Sequence, residues 1–160
     1  LLRKCQHPDG LGYTLTSLSV RACELSHSTM AQLLALMPHL LALEVVGCVV
    51  TPKALDTAPL MARTPSPTRL QRLVLDSWLC VKLLGNLSAH PLVHLELHDL
   101  TIPAEDLERL QLPGLRALVL RTCCLSDNLH TLGFQRRYNL PSLETLVLDR
   151  VGGDVLTLES

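Results

Sequence analysis

"LPGLRALVLRTCCL", residues 112–125, carries five leucines whose spacing fits neither a regular helix nor a regular strand. Its frame is Leu115-x-x-Leu118-x-Leu120-x-x-Cys123-x-Leu125. Self-similarity is the first thing to test in such a chain, and the frame recurs. It fits Leu15, Leu18, Val20, Cys23 and Leu25, then Leu40, Leu43, Val45, Cys48 and Val50. It fits Leu70, Leu73, Leu75, Trp78 and Cys80, then Leu92, Leu95, Leu97, Leu100 and Ile102. The last copy is Leu143, Leu146, Leu148 and Val151, with Gly153 in the eleventh place. The starts are unevenly spaced.

The composition agrees with a regular aliphatic packing scheme. Hydrophobic residues make up 48% of the 160 residues, and aromatic residues only 2%. The chain is long enough for one domain with a real core, and no linker divides 1–160. With 14 basic and 15 acidic residues the net charge is −1. That argues against a nucleic-acid binder and supplies no polybasic membrane anchor. "LLALMPHLLALEVVGCVV", Leu33 to Val50, imitates a membrane span. Pro38, His39 and Glu44 near its middle make that costly, so it reads as a helix followed by a strand.

Each L-x-L pair puts two aliphatic side chains on one face of a short strand, because side chains alternate. One copy cannot bury that face; stacked neighbours can. Parallel strands about 4.8 Å apart would then make a six-stranded sheet roughly 25–30 Å wide. Segments 26–39 and 102–113 read as return helices, with Met30, Leu33, Leu34 and Met37 at helical spacing in the first. Segment 126–141 reads as a helical turn interrupted near Gly133, and 81–91 as a single turn. Pro38, Pro91, Pro113 and Pro141 each stand just before a strand, where proline ends a helix.

The frame resembles the leucine-rich-repeat family, L-x-x-L-x-L-x-x-[N/C]-x-L, over nearly the whole chain. Cysteine at the ninth position, in Cys23, Cys48 and Cys123, is similar to the cysteine-containing and ribonuclease-inhibitor-like subclasses. Trp78, Leu100 and Val151 depart from the pattern there. The resemblance implies an α/β solenoid, a curved horseshoe of about six repeats, with a parallel β-sheet on its concave face and helices and turns on its convex face. It implies protein–protein recognition, as in the substrate-recognition repeats of an F-box-type ubiquitin-ligase receptor. The alternatives are an assembly subunit of a large complex and the sensor arm of an innate-immune receptor. The partner would be another protein, with a ubiquitin-ligase adaptor held through a module outside this chain. A start at Leu1 and the want of polar caps read as an excerpt of a longer protein.

The resemblance also implies inward thiols at the ninth position that satisfy loop backbone groups. In-register stacking would place Cys23 and Cys48 about 5 Å apart at Cα, which permits a disulfide. Parallel Cβ vectors would hold the Cβ atoms beyond the usual ~3.8 Å, so free thiols are expected. Such thiols point to a reducing, cytoplasmic setting, and "NLS" at Asn86 is then no glycosylation site. Cys80 is expected inward and Cys124 outward, and nothing in sequence near Cys124 activates it for catalysis.

No enzyme, cofactor or metal is expected. "HLELHD" puts His94, Glu96 and His98 on one exposed strand face, with the two histidines about 13 Å apart. That reads as a solvated binding face before a metal site. The expected partner-binding set is Arg72, Val74, Asp76, His94, Glu96, His98, Val119, Arg121, Val147 and Asp149, all at outward positions. Stacking would set Asp76 beside His98 and Arg121 beside Asp149, with Val119 and Val147 as a small apolar patch. Mixed charge around an apolar centre suits a protein partner, although aromatic anchors are missing. The loop "RTPSPT", residues 63–68, and the convex "FQRRYN", residues 134–139, read as surface. Helices in place of the six L-x-L segments would overturn the whole scheme.

Overall fold

The computed structural model describes residues 14–26, 36–51, 69–76, 91–102, 112–125 and 140–152. All six L-x-L segments are strands. The principal strands are β1 (Ser17–Arg21), β3 (Ala42–Val46), β5 (Arg72–Leu75), β6 (His94–His98), β8 (Ala117–Arg121) and β10 (Thr145–Asp149). They form one six-stranded sheet in the order β1-β3-β5-β6-β8-β10, so each copy lies against the next. Every pairing is parallel, and the register matches the repeat frame: Leu43 stands opposite Leu73, and Leu73 opposite Leu95.

The core is built from columns of the frame. The first position supplies Leu40, Leu70, Leu92, Leu115 and Leu143, the fourth Leu43, Leu73, Leu95 and Leu118, and the sixth Val45, Leu75, Leu97 and Leu120. All are buried. At the two outer strands the same columns are thinner: Leu15, Leu18, Val20, Leu146 and Leu148 are only partly covered. Each outer strand has a neighbour on one side only.

The prolines have a specific job. Leu40, Leu115 and Leu143 donate their N–H groups to the carbonyls of Met37, Leu112 and Leu140, at 3.1, 3.1 and 3.2 Å. Each pair closes a four-residue turn with proline second (Pro38, Pro113, Pro141), where its fixed φ is favoured. The residue before the proline is buried every time. Just past the turn, one carbonyl accepts two N–H groups from the next copy. Leu41 O takes Gln71 N and Arg72 N at 2.8 and 2.9 Å, and Arg116 O takes Glu144 N and Thr145 N, both at 2.9 Å.

After five of the six principal strands the described chain leaves through a left-handed residue at the eighth position. Ala22, Gly47, Asp99, Thr122 and Arg150 have φ of 50, 67, 51, 52 and 53°. Only Gly47 adopts this conformation without a Cβ penalty. The turn lets bonding between copies continue: β2 (Glu24–Ser26) pairs with β4 (Val49–Thr51), and β7 (Thr101–Ile102) with β9 (Cys124–Leu125). The leucine frame does not announce these two small parallel sheets. Ser26 and Ile102 are accordingly strand residues, and Met37 lies in the proline turn; none of the three belongs to a return helix.

The central parts of the return segments, 27–35, 81–90, 103–111 and 126–139, lie outside the described residues, as do Cys5, Trp78, Cys80 and the loop 63–68. Among the described residues no helix is long and apolar enough to cross a membrane.

Two stability changes follow. Leu97→Ala empties a fully buried place and should cost about 2–5 kcal/mol, read as a lower midpoint in urea. Thr122→Gly removes a β-branched residue from a left-handed position and should raise stability by about 1 kcal/mol in the same measurement.

Candidate functional site

Alternation sends the third, fifth and seventh residues of each frame to the face of the sheet opposite the core. Most of the charged strand residues stand there. At its centre, on β6, is Glu96, whose side chain is only 13% exposed. The register places it between Val74 of β5 and Val119 of β8. A carboxylate between two valines loses water, so burial works to raise its pKa. Hydrogen bonds from His98 and Arg121, with the His94 ring close by, work the other way and prevail, so Glu96 is held below the ordinary glutamate value of 4.5.

The geometry shows how. Oε1 of Glu96 accepts from Arg121 Nε at 2.9 Å and from His98 Nε2 at 2.9 Å, which places a proton on that ring nitrogen. Oε2 lies 3.5 Å from His94 Nε2 and 3.6 Å from Arg72 Nη2. The His94 contact has an ion-pair distance without hydrogen-bond alignment, and that nitrogen is buried without another partner. Arg121 extends the network, with Nη1 3.5 Å from Asp149 Oδ2 on β10. One carboxylate thus gathers two imidazoles of its own strand and a guanidinium from each neighbouring strand. Five of the expected residues, Arg72, His94, Glu96, His98 and Arg121, meet here, and Asp149 joins through Arg121.

Four expected residues behave differently. Asp76 turns away from His98: its Oδ2 accepts the N–H of Gly47, in the turn after β3. A backbone donor in a tight turn competes better for the carboxylate than a ring already committed to Glu96. Val74 and Val119 are 4% and 7% exposed, so longer neighbours in their row shade them. Val147, in contrast, is 38% exposed. The apolar patch offered to solvent is therefore Val147, with Val119 beneath the charged layer. At the other end of the face, Arg21 pairs with Glu44 across β1 and β3, a contact the sequence did not single out.

The ninth-position thiols reach backbone carbonyls. Cys123 donates toward Leu97 O at 3.4 Å and Arg121 O at 3.3 Å; Cys48 lies 3.6 Å from both Val20 O and Val46 O. Burial pushes both thiols up from the ordinary cysteine value. Cys23, Cys48, Cys123 and Cys124 are free, with Cys124 exposed.

Chemically, Glu96 is a fixed anion. A carboxyl group held below its ordinary value is a poor general acid at neutral pH, and two guanidiniums beside it oppose a metal cation. Among the described residues no group of three or more His, Cys, Asp and Glu side chains is arranged to hold a metal ion. What the network does is orient two arginines and two histidines on an open surface. No protein-family model matches the chain, and no curated protein matches it.

Because Glu96 has a lowered pKa in the folded state, its contribution is fully present above the unfolded value and is lost as pH falls from about 4.5 through the folded value. Glu96→Gln should therefore flatten the acid limb of a stability-versus-pH curve below pH 4.5 and lower the plateau above it. Urea midpoints measured from about pH 3 to pH 8 check this.

Proposed function

We propose that this chain is a leucine-rich-repeat recognition module, and that it binds another protein through the open face of its sheet. The observation that carries the reading is the division of labour between the two faces. Every core column is aliphatic and nearly invariant from copy to copy, whereas the outward rows change residue at almost every step. The fifth row alone runs Ser19, Glu44, Val74, Glu96, Val119 and Val147. Packing demands no such variety of exposed strand residues; a surface shaped to one partner does.

The binding centre in this reading is the Glu96 network. Arg72 and Arg121 have side chains 47% and 46% exposed, so each offers N–H donors to a partner while anchored on Glu96. Anchoring lowers the side-chain entropy lost on binding, and Val147 supplies apolar contact beside them. A solenoid with its sheet on the inner side of the curve would wrap this face around a convex partner. Substrate recognition in an F-box-type receptor is the finer form of the same proposal.

Quantitative affinity purification tests it, with three versions of the chain. Arg72→Glu combined with Arg121→Glu should lower recovery of specific partners at least tenfold. Glu24→Lys, an exposed reversal on β2 away from this face, should leave recovery unchanged. Equal recovery by all three versions, with the double variant folded by circular dichroism, would remove the open face from consideration.

A further inference from the structure

We propose that Cys23 and Cys48 form a redox pair, closed by exchange with a low-molecular-weight disulfide into a cross-link that clips β1 to β3. The two residues are opposite one another. Arg21 pairs with Val46 on one side of them and Glu24 with Val49 on the other, at the same offset. Ala22 N donates to Val46 O at 3.1 Å and Val49 N to Cys23 O at 2.9 Å, so the backbones are held together on both flanks. Neighbouring parallel strands run about 4.8 Å apart, within the ~4.4–6.8 Å that a disulfide spans between Cα atoms.

The side chains add what register alone lacks. The Cys48 thiol leans across the strand gap toward Val20 O, 3.6 Å away. The Cys23 thiol donates to Arg21 O at 3.0 Å. The Cys48 thiol thus already reaches the backbone of β1 although the strands run parallel. The remaining adjustment is about 1 Å between Cβ atoms. β1 is free to make it, since it is an outer strand whose Leu15, Leu18 and Val20 are only partly buried.

Among the described cysteines this pairing is unique. Cys123 has Leu100 and Val151 in the adjoining copies, and Cys124 has Thr101 and Gly152. Cys123 is buried and Cys124 exposed, so the two adjacent thiols stand on opposite sides of the backbone.

Exposure sets the order of steps. Cys23 is exposed and Cys48 half-buried. The Cys23 thiolate attacks one sulfur of the small disulfide, forming a mixed disulfide and releasing one thiolate. The Cys48 sulfur then attacks the Cys23 sulfur and releases the second. Two protons and two electrons pass from the protein to the small disulfide, which leaves as two thiols. Burial keeps Cys48 protonated beyond the ordinary cysteine range, so closure accelerates as pH rises.

The experiment equilibrates the reduced chain with oxidised glutathione and alkylates what remains. The expected product is two hydrogens lighter and has lost two alkylatable thiols. Residues 22–53 hold no lysine or arginine before Lys53, so trypsin leaves both cysteines in one peptide. Cleavage after Glu24 and Glu44 should give Cys23 and Cys48 fragments that separate only on reduction. Cys48→Ser should stop at a glutathione adduct on Cys23, and Cys23→Ser should leave Cys48 free. The closed form should melt about 5 °C or more above the reduced one. An adduct on Cys23 that never closes in the unsubstituted chain overturns the proposal. So does a linkage that maps to Cys5, Cys80 or Cys124, or a closed form with an unchanged Tm.

Discussion

A strand of five residues with leucines on one side is useless by itself. It leaves an apolar face wet and two rows of backbone donors and acceptors without partners. Every regularity in this molecule answers that problem by adding another copy. The carbonyls just past the Pro38 and Pro113 turns each take two N–H groups from the following copy, the strands pair without a slip, and the left-handed exit residue lets pairing resume in the small side sheets. These contacts all run between adjacent copies. Stability is therefore cooperative in the middle and weak at the rims, where Leu18 and Leu146 stand partly uncovered.

The same geometry creates the surface on the other side. A side chain in an outward row has fixed neighbours, two on its own strand and one or two across. Glu96 shows the consequence. Its row would bury it between valines at a desolvation cost, yet the third and seventh positions of β6 are histidines and the flanking strands bring arginines. A carboxylate in that place is tolerable because its four neighbours can all donate. The charges on this face are already engaged with each other, so a partner docking as proposed would have to exchange contacts with the network. That favours specificity over raw affinity.

Much of the architecture could be read from residues alone, because the leucine frame fixes both strand position and facing. Leu95 and Leu97 are inward for the same reason that Glu96 is outward. Two things were less legible. The side sheets at Glu24–Ser26 and Thr101–Ile102 escaped because left-handed φ at Ala22, Asp99, Thr122 and Arg150 has no glycine to announce it. At the site, row and column were right and side-chain direction was open. Nothing in the string of letters told Asp76 to choose the Gly47 amide over His98, or Arg121 to reach back to Glu96 as well as forward to Asp149. Those choices depend on which donor is nearer and less committed, a matter of ångströms.

The described turns at the strand ends have one more effect. A proline turn sets where β3, β8 and β10 begin, and a left-handed residue sets the five described departures; both are made within the copy or with its immediate neighbour. The number of residues from one departure to the next beginning does not set the alignment. It is short between Ile102 and Leu112 and much longer between Thr51 and Arg69, yet β3 pairs with β5 as faithfully as β6 with β8. Residues can accordingly be inserted or deleted in these connections without sliding one leucine out of its column. The molecule keeps time like a clockwork whose escapement, rather than the length of its spring, sets each tick.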